Sequence, residues 1–172
     1  MNENPQQKRR VWTELALLLA AAVLIQSIRL LIPMIPGPVN MFLIGSLLNM
    51  VMVLAVWRTK SPWSVLIGLF LPVGAYLQGQ LPLLPMLPVV ALGNAVFILT
   101  VGLLGTGYRA YLAPFVKAAV LFGGTQLVLS LLEIPAPLAK VLTFMMSWPQ
   151  IVTGSVGIFL AGIILRRIAR QG

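Results

Sequence analysis

The sequence predicts an all-α integral membrane protein: six transmembrane helices in one compact bundle, with the N- and C-termini cytoplasmic. Three observations carry that reading. First, 59% of the 172 residues are hydrophobic and only 9% are charged, against about 25% charged in a soluble domain. Second, apolar runs near the length of a membrane crossing, about 20 residues, alternate with short segments rich in proline, glycine or cations. Third, the cations gather in every other one of those segments.

Residues 1–11 (MNENPQQKRRV) form a basic N-terminal segment ahead of the first apolar run, Trp12 to Ile32. A basic start before LALLLAAAVLI is shared with secretory signals. This run is longer than a signal core and no small-residue cleavage site follows it, so it reads as a retained helix. The segment PMIPGP (33–38), with three prolines and a glycine, cannot continue a helix. The second run, Val39 to Trp57, stops at RTKSP (58–62). The third covers Trp63 to Gln78 and closes in GQLPLLPMLP (79–88), a proline-rich loop or re-entrant segment. The fourth spans Val89 to Leu104 and stops at GTGYR (105–109). The fifth spans Tyr111 to Leu132, broken by EIPAP (133–137). The sixth spans Val141 to Leu165, and 166–172 is a basic tail. The organisation is therefore a six-helix domain over 12–165 with a basic flank on each side. The runs are apolar on every side, so length and punctuation carry the assignment rather than periodicity.

Twelve Lys and Arg against three acids give a net charge of +9. In a soluble chain that balance points to nucleic acid. Here the cations lie between apolar runs, and no nucleic-acid partner is expected. With the N-terminus inside, Lys8, Arg9, Arg10, Arg58, Lys60, Arg109, Arg166, Arg167 and Arg170 all fall in inner segments. The outer segments hold one cation, Lys140, with Glu133 close by. This is a strong positive-inside bias, and an even number of helices returns both ends to one side.

The chain has no Cys and no His, and its acids Glu3, Glu14 and Glu133 stand far apart. Thiolate and imidazole chemistry, disulfides and the usual metal sites are thereby removed. No phosphate-binding G-x-x-x-x-G-K-[ST] loop is present. The expectation is a protein that is not an enzyme, with no cofactor and no metal.

Once the topology is assigned, each polar residue acquires a depth. Gln26 and Arg29 fall in the outer part of the first helix, Asn40 opens the second, and Gln78 and Gln80 end the third. Asn94, Gln126, Trp148 and Gln150 occupy the outer halves of the fourth, fifth and sixth. The inner half has fewer, chiefly Ser64, Thr100 and Lys117, and Asn49 sits near the middle. Polar groups in hydrocarbon face a bundle interior or a wet cavity. The set Arg29, Asn40, Gln78, Gln80, Asn94, Gln126, Trp148 and Gln150 therefore predicts an outward-facing binding pocket. Scattered interhelical hydrogen bonds, about 1 kcal/mol each, are the alternative. Arg29 either snorkels to headgroups or serves as counter-charge to a carboxylate. Trp148 either stacks on a ligand ring or belongs to the interfacial aromatic belt. Ala16 and Ala20, one turn apart, allow a second helix to approach closely, while Gly154, Gly157 and Ala161 share one face of the last helix and fit internal packing.

These features resemble the substrate-binding (S) components of energy-coupling factor (ECF) transporters. The likeness rests on the helix count and basic start, the ALLLA step at Ala16–Ala20, and the outer polar pocket. It extends over PGPVNMFLIGSLLNMV, LPVGAYLQGQLPLLPMLPVVALGNAVFIL and WPQIVTGSVGIFLAG, which look like the vitamin-carrier branch of that family. The resemblance covers nearly the whole chain and is one of pattern. It implies a subunit of a bacterial plasma-membrane importer that captures a vitamin or related small molecule from outside. It further implies that Ala16 and Ala20 pack on a transmembrane coupling (T) subunit, that two cytoplasmic ATPases complete the complex, and that the S component topples to release its load. Two other readings are a cell-envelope scaffold of the MreD type and a small stand-alone secondary transporter. The first has less need of outer polar groups, and the second has only Glu133, in a loop, to carry a coupling ion.

Overall fold

Each apolar run becomes helix in the computed structural model, which describes residues 5–32 and 36–170. Positions 1–4 of the basic segment, 33–35 of the proline turn and 171–172 of the tail lie outside the described residues. The helices are α1 (Pro5–Leu31), α2 (Gly37–Thr59), α3 (Val65–Leu77), α4 (Met86–Leu104), α5 (Ala113–Leu131), α6 (Ala136–Met145) and α7 (Trp148–Ala169), and no strand occurs among the described residues. Short 3-10 turns at Pro62–Ser64 and Tyr108–Leu112 lead into α3 and α5.

Five segments are long and apolar enough to cross a membrane: Pro5–Leu31, Val39–Thr59, Met86–Leu104, Tyr108–Leu131 and Ala136–Ala169. A sixth, Pro62–Leu77, is apolar but shorter. Large apolar side chains cover the outside. Leu103, Leu31 and Leu77 are each more than three-quarters exposed. In water such a surface would aggregate; against lipid tails it is solvated. This is the architecture of a multi-pass membrane protein.

Several helix ends shift by a few residues, α4 starting at Met86 and α7 continuing to Ala169 into the expected basic tail, and two differences are larger. Helix α1 starts at Pro5, because Gln6, Gln7, Lys8, Arg9 and Arg10 are good helix formers and nothing interrupts them. The sixth run is two helices, not one. Pro149 has no N–H and its ring crowds the carbonyl four residues back, so the helix breaks at Met146–Ser147 and α7 restarts with the proline in its first turn. The ten residues of α6 extend only about 15 Å. It buries Leu142 and exposes Lys140, Val141 and Phe144.

Helix α2 is the centre of the bundle, with Val51 to Val56 buried on every side. It lies against α7 so closely that a Cβ at Gly157 would sit 2.7 Å from Asn49 Cβ and 2.8 Å from the Met50 backbone nitrogen. Close approach through small residues replaces the hydrophobic drive that lipid removes. The apolar interior falls into two clusters. One joins Leu15, the middle of α2, Phe97 and Ile158; the other joins Leu81, Met86, Leu121, Leu142 and Met146.

The start of α1, the last turn of α2 and the last turn of α7 surround a common groove, so both ends of the described chain lie at one end of the bundle. There Arg58 Nε donates to the Glu14 carboxylate, and the rings of Trp12 and Trp63 lie 5.4 Å apart.

Candidate binding cavity

At the opposite end, where the two apolar clusters part, a cavity of about 180 Å³ opens between the helices. Its wall is apolar, made by Met41, Ile44, Leu48, Met52, Leu71 and Met145. An apolar cavity of about 150 Å³ accommodates benzene, so a ring-sized ligand body matches the space.

Five of the eight residues proposed for the pocket line this cavity: Arg29, Asn40, Gln80, Asn94 and Gln150. Asn40 is buried at the start of α2, and Arg29 is exposed near the end of α1. Two of the amides owe their positions to prolines. Pro72 inside α3 leaves the Gly68 carbonyl without its donor four residues on, and Asn94 Nδ2 from α4 donates to that oxygen at 3.2 Å. Pro149 does the same to the Met145 carbonyl, and Gln150 Nε2 donates to it at 2.9 Å. Gln80 Nε2 donates to the Gln26 carbonyl oxygen at 3.0 Å and to Gln78 Oε1 at 2.7 Å.

The other three are elsewhere. Gln78 stands behind Gln80, donating to Ser27 Oγ at 3.1 Å, and steadies the wall from outside. Gln126 is exposed, with its Nε2 3.5 Å from Thr143 Oγ1 of α6. Trp148 is half-exposed beside the aromatic rings of Phe42 and Phe144, with centroids at 5.8 and 5.6 Å. Its ring contacts thus lie outside the cavity lining. Ala16 and Ala20 are exposed on the outer face of α1, uncovered by the rest of the chain, whereas Gly154, Gly157 and Ala161 are buried in internal packing.

Three further polar residues line the cavity: Gln26, which the sequence placed at outer depth but outside the pocket set, and Asn49 and Lys117, which it placed deeper. Lys117 is 3% exposed. Its Nζ donates to Asn49 Oδ1 at 2.8 Å and lies 5.1 Å from the centroid of the Phe97 ring. Asn49 Nδ2 in turn donates to Thr153 Oγ1 at 3.2 Å, and the Thr153 hydroxyl donates to the Gln150 carbonyl oxygen at 3.4 Å. No carboxylate among the described residues pairs with Lys117; Glu14 is held by Arg58 and Glu133 is exposed. Gln26 is 1% exposed, and its Nε2 donates to the Leu71 carbonyl at 3.2 Å. Among the described residues its Oε1 has no hydrogen-bond partner.

The signal for Lys117 was present, since a lone cation inside an apolar helix marks a site by default. Its position near the start of α5 placed it in the half of the bundle taken to be pocket-free. The cavity reaches deep enough to make it the floor. Among the described residues no three His, Cys, Asp or Glu gather. The groups present are recognition groups: ammonium and guanidinium donors and an apolar wall.

Comparisons with known protein families, with curated proteins and with solved structures found no match.

Proposed function

We propose that this chain is the membrane-embedded substrate-binding subunit of an ECF-type importer in a bacterial plasma membrane. In this reading it captures a vitamin or related small molecule from outside and delivers it inward with a coupling subunit and two ATPases. The observation that carries the proposal is the cavity: buried polar groups from different helices converge on one ring-sized, apolar-walled space at one end of the bundle. A scaffold has no use for an enclosed cation and an unsatisfied amide, each of which is costly in hydrocarbon. A secondary transporter that couples to protons or sodium through an intramembrane carboxylate is disfavoured, since among the described residues no carboxylate lines the cavity.

Two further observations support the orientation and the partner. The cavity lies at the end remote from most of the cations, which supports an outward-facing orientation under the positive-inside rule. Ala16 and Ala20 are exposed and small, which suits backbone-to-backbone docking of a helix from another subunit.

The test is Ala16→Trp and Ala20→Trp. Because neither position is covered within the chain, both variants fold and bind ligand normally, but uptake and co-purification with the coupling subunit and ATPases are lost. Uptake by the purified chain alone in liposomes, with no ATPase present, overturns the proposal.

A further inference from the structure

The hydrogen-bond chain beneath the cavity has a direction. The Thr153 hydroxyl gives its hydrogen to the Gln150 carbonyl and accepts from Asn49 Nδ2, which leaves Asn49 Oδ1 to accept from Lys117. The asparagine is thereby fixed with its oxygen toward the ammonium. Lys117 Nζ carries three N–H groups, and Asn49 takes one of them. The face of Phe97 offers a weak cation–π contact. No other acceptor in the described chain meets the remaining two, and the cavity is the space they adjoin. Gln26 is on the same lining, but its Oε1 is buried against Gly74 of α3 and is not presented to the cavity. A cation without an anion thus adjoins one apolar-walled space.

We propose that the cavity selects a carboxylate with an apolar, ring-sized body, its carboxylate seated on Lys117. The inference rests on the cavity being a ligand site and names what the ligand is. One ammonium balances one negative charge, and carboxylate oxygens accept the two vacant N–H groups in a charge-assisted pair. An inorganic anion leaves the wall of Met41, Ile44, Leu48 and Met52 without contacts.

The full chain, purified in detergent, is dialysed to equilibrium against matched acids and primary amides: benzoate and benzamide, nicotinate and nicotinamide, cyclohexanecarboxylate and cyclohexanecarboxamide. At least one acid binds ten-fold or more tightly than its amide. Lys117→Met reduces that ratio below two-fold, while Lys140→Gln, which removes an exposed cation outside the cavity, leaves it unchanged. Asn49→Asp is the second variant. It supplies an internal carboxylate to Lys117 and abolishes acid binding while amide binding persists, so the inference stays testable if Lys117→Met does not fold. Amides bound as tightly as acids, or an acid preference that survives both lysine-site variants, overturns the inference and leaves the ligand site standing. Failure of both series to bind overturns the ligand site as well.

Discussion

Asn94 occupies the wall of the cavity, yet its amide has a structural task that can be measured separately. The Gly68 carbonyl in α3 lacks its ordinary donor because position 72 is proline, and Asn94 Nδ2 supplies a replacement at 3.2 Å. Asn94→Leu keeps the volume and removes the donor. A buried carbonyl left unsatisfied costs about 1–3 kcal/mol, while interhelical hydrogen bonds in membrane proteins average about 0.6 and reach about 1.7 kcal/mol. The expected loss is therefore about 1–1.5 kcal/mol. Pro72→Ala alone changes stability by no more than about 0.5 kcal/mol, since the new backbone N–H competes with Asn94 for the same oxygen. In the double variant that N–H has the carbonyl to itself, and the loss shrinks by about 1 kcal/mol. Reversible unfolding in mixed micelles with increasing dodecyl sulfate, followed by tryptophan fluorescence, gives the four free energies of the cycle. Additivity within about 0.3 kcal/mol refutes the claim that the amide stands in for the missing proline donor.

Gly157→Leu forces a side chain into the Asn49 and Met50 backbone and destabilises by about 3 kcal/mol or more. Gly162→Leu on the same helix has nothing within 4 Å and stays within about 0.5 kcal/mol of the parent by the same unfolding assay. Because the chain contains no Cys, single cysteines report sidedness cleanly. Those at Gly37 and Ala136 react with an impermeant thiol reagent added outside intact cells, and those at Thr59 and Thr106 do not. Reversed labelling sinks the proposed orientation.

Much of the architecture was legible because membrane helices announce themselves by length. The run ends at Thr59, Leu77 and Leu104 fall within a few residues of RTKSP, the Gln78 turn and GTGYR. The α6–α7 break was harder to see, since apolar residues continue on both sides of it. Its one sign was Pro149 behind Ser147, a proline in the first turn of a helix. The face of each helix was not legible, because a run that is apolar all round has no readable moment. Gln126 shows the consequence. It lies nine residues after Lys117, two and a half turns at 3.6 residues per turn. Since Lys117 faces the cavity, Gln126 faces away from it. Arg29, Asn40 and Gln150 were found because each lies near a helix end or a proline break at the cavity end, and Asn94 because it is a lone amide in the apolar run of α4. Asn49 and Lys117 were passed over because the cavity extends further toward the bundle centre than depth counting allowed.

The burial of Lys117 also bears on how the protein is assembled. The lysine is the fifth residue of α5, so in a newly inserted, solitary helix its aliphatic stem extends to the nearby headgroups and keeps the ammonium wet. Insertion itself then carries little penalty. The charge is enclosed only when α2 brings Asn49 beneath it and α7 brings Thr153 beneath Asn49. Those two helices flank α5 in sequence, one made before it and one after. The cost of dehydrating the ammonium therefore falls on the packing of α5 against α2, α4 and α7, and not on the insertion of α5 by itself.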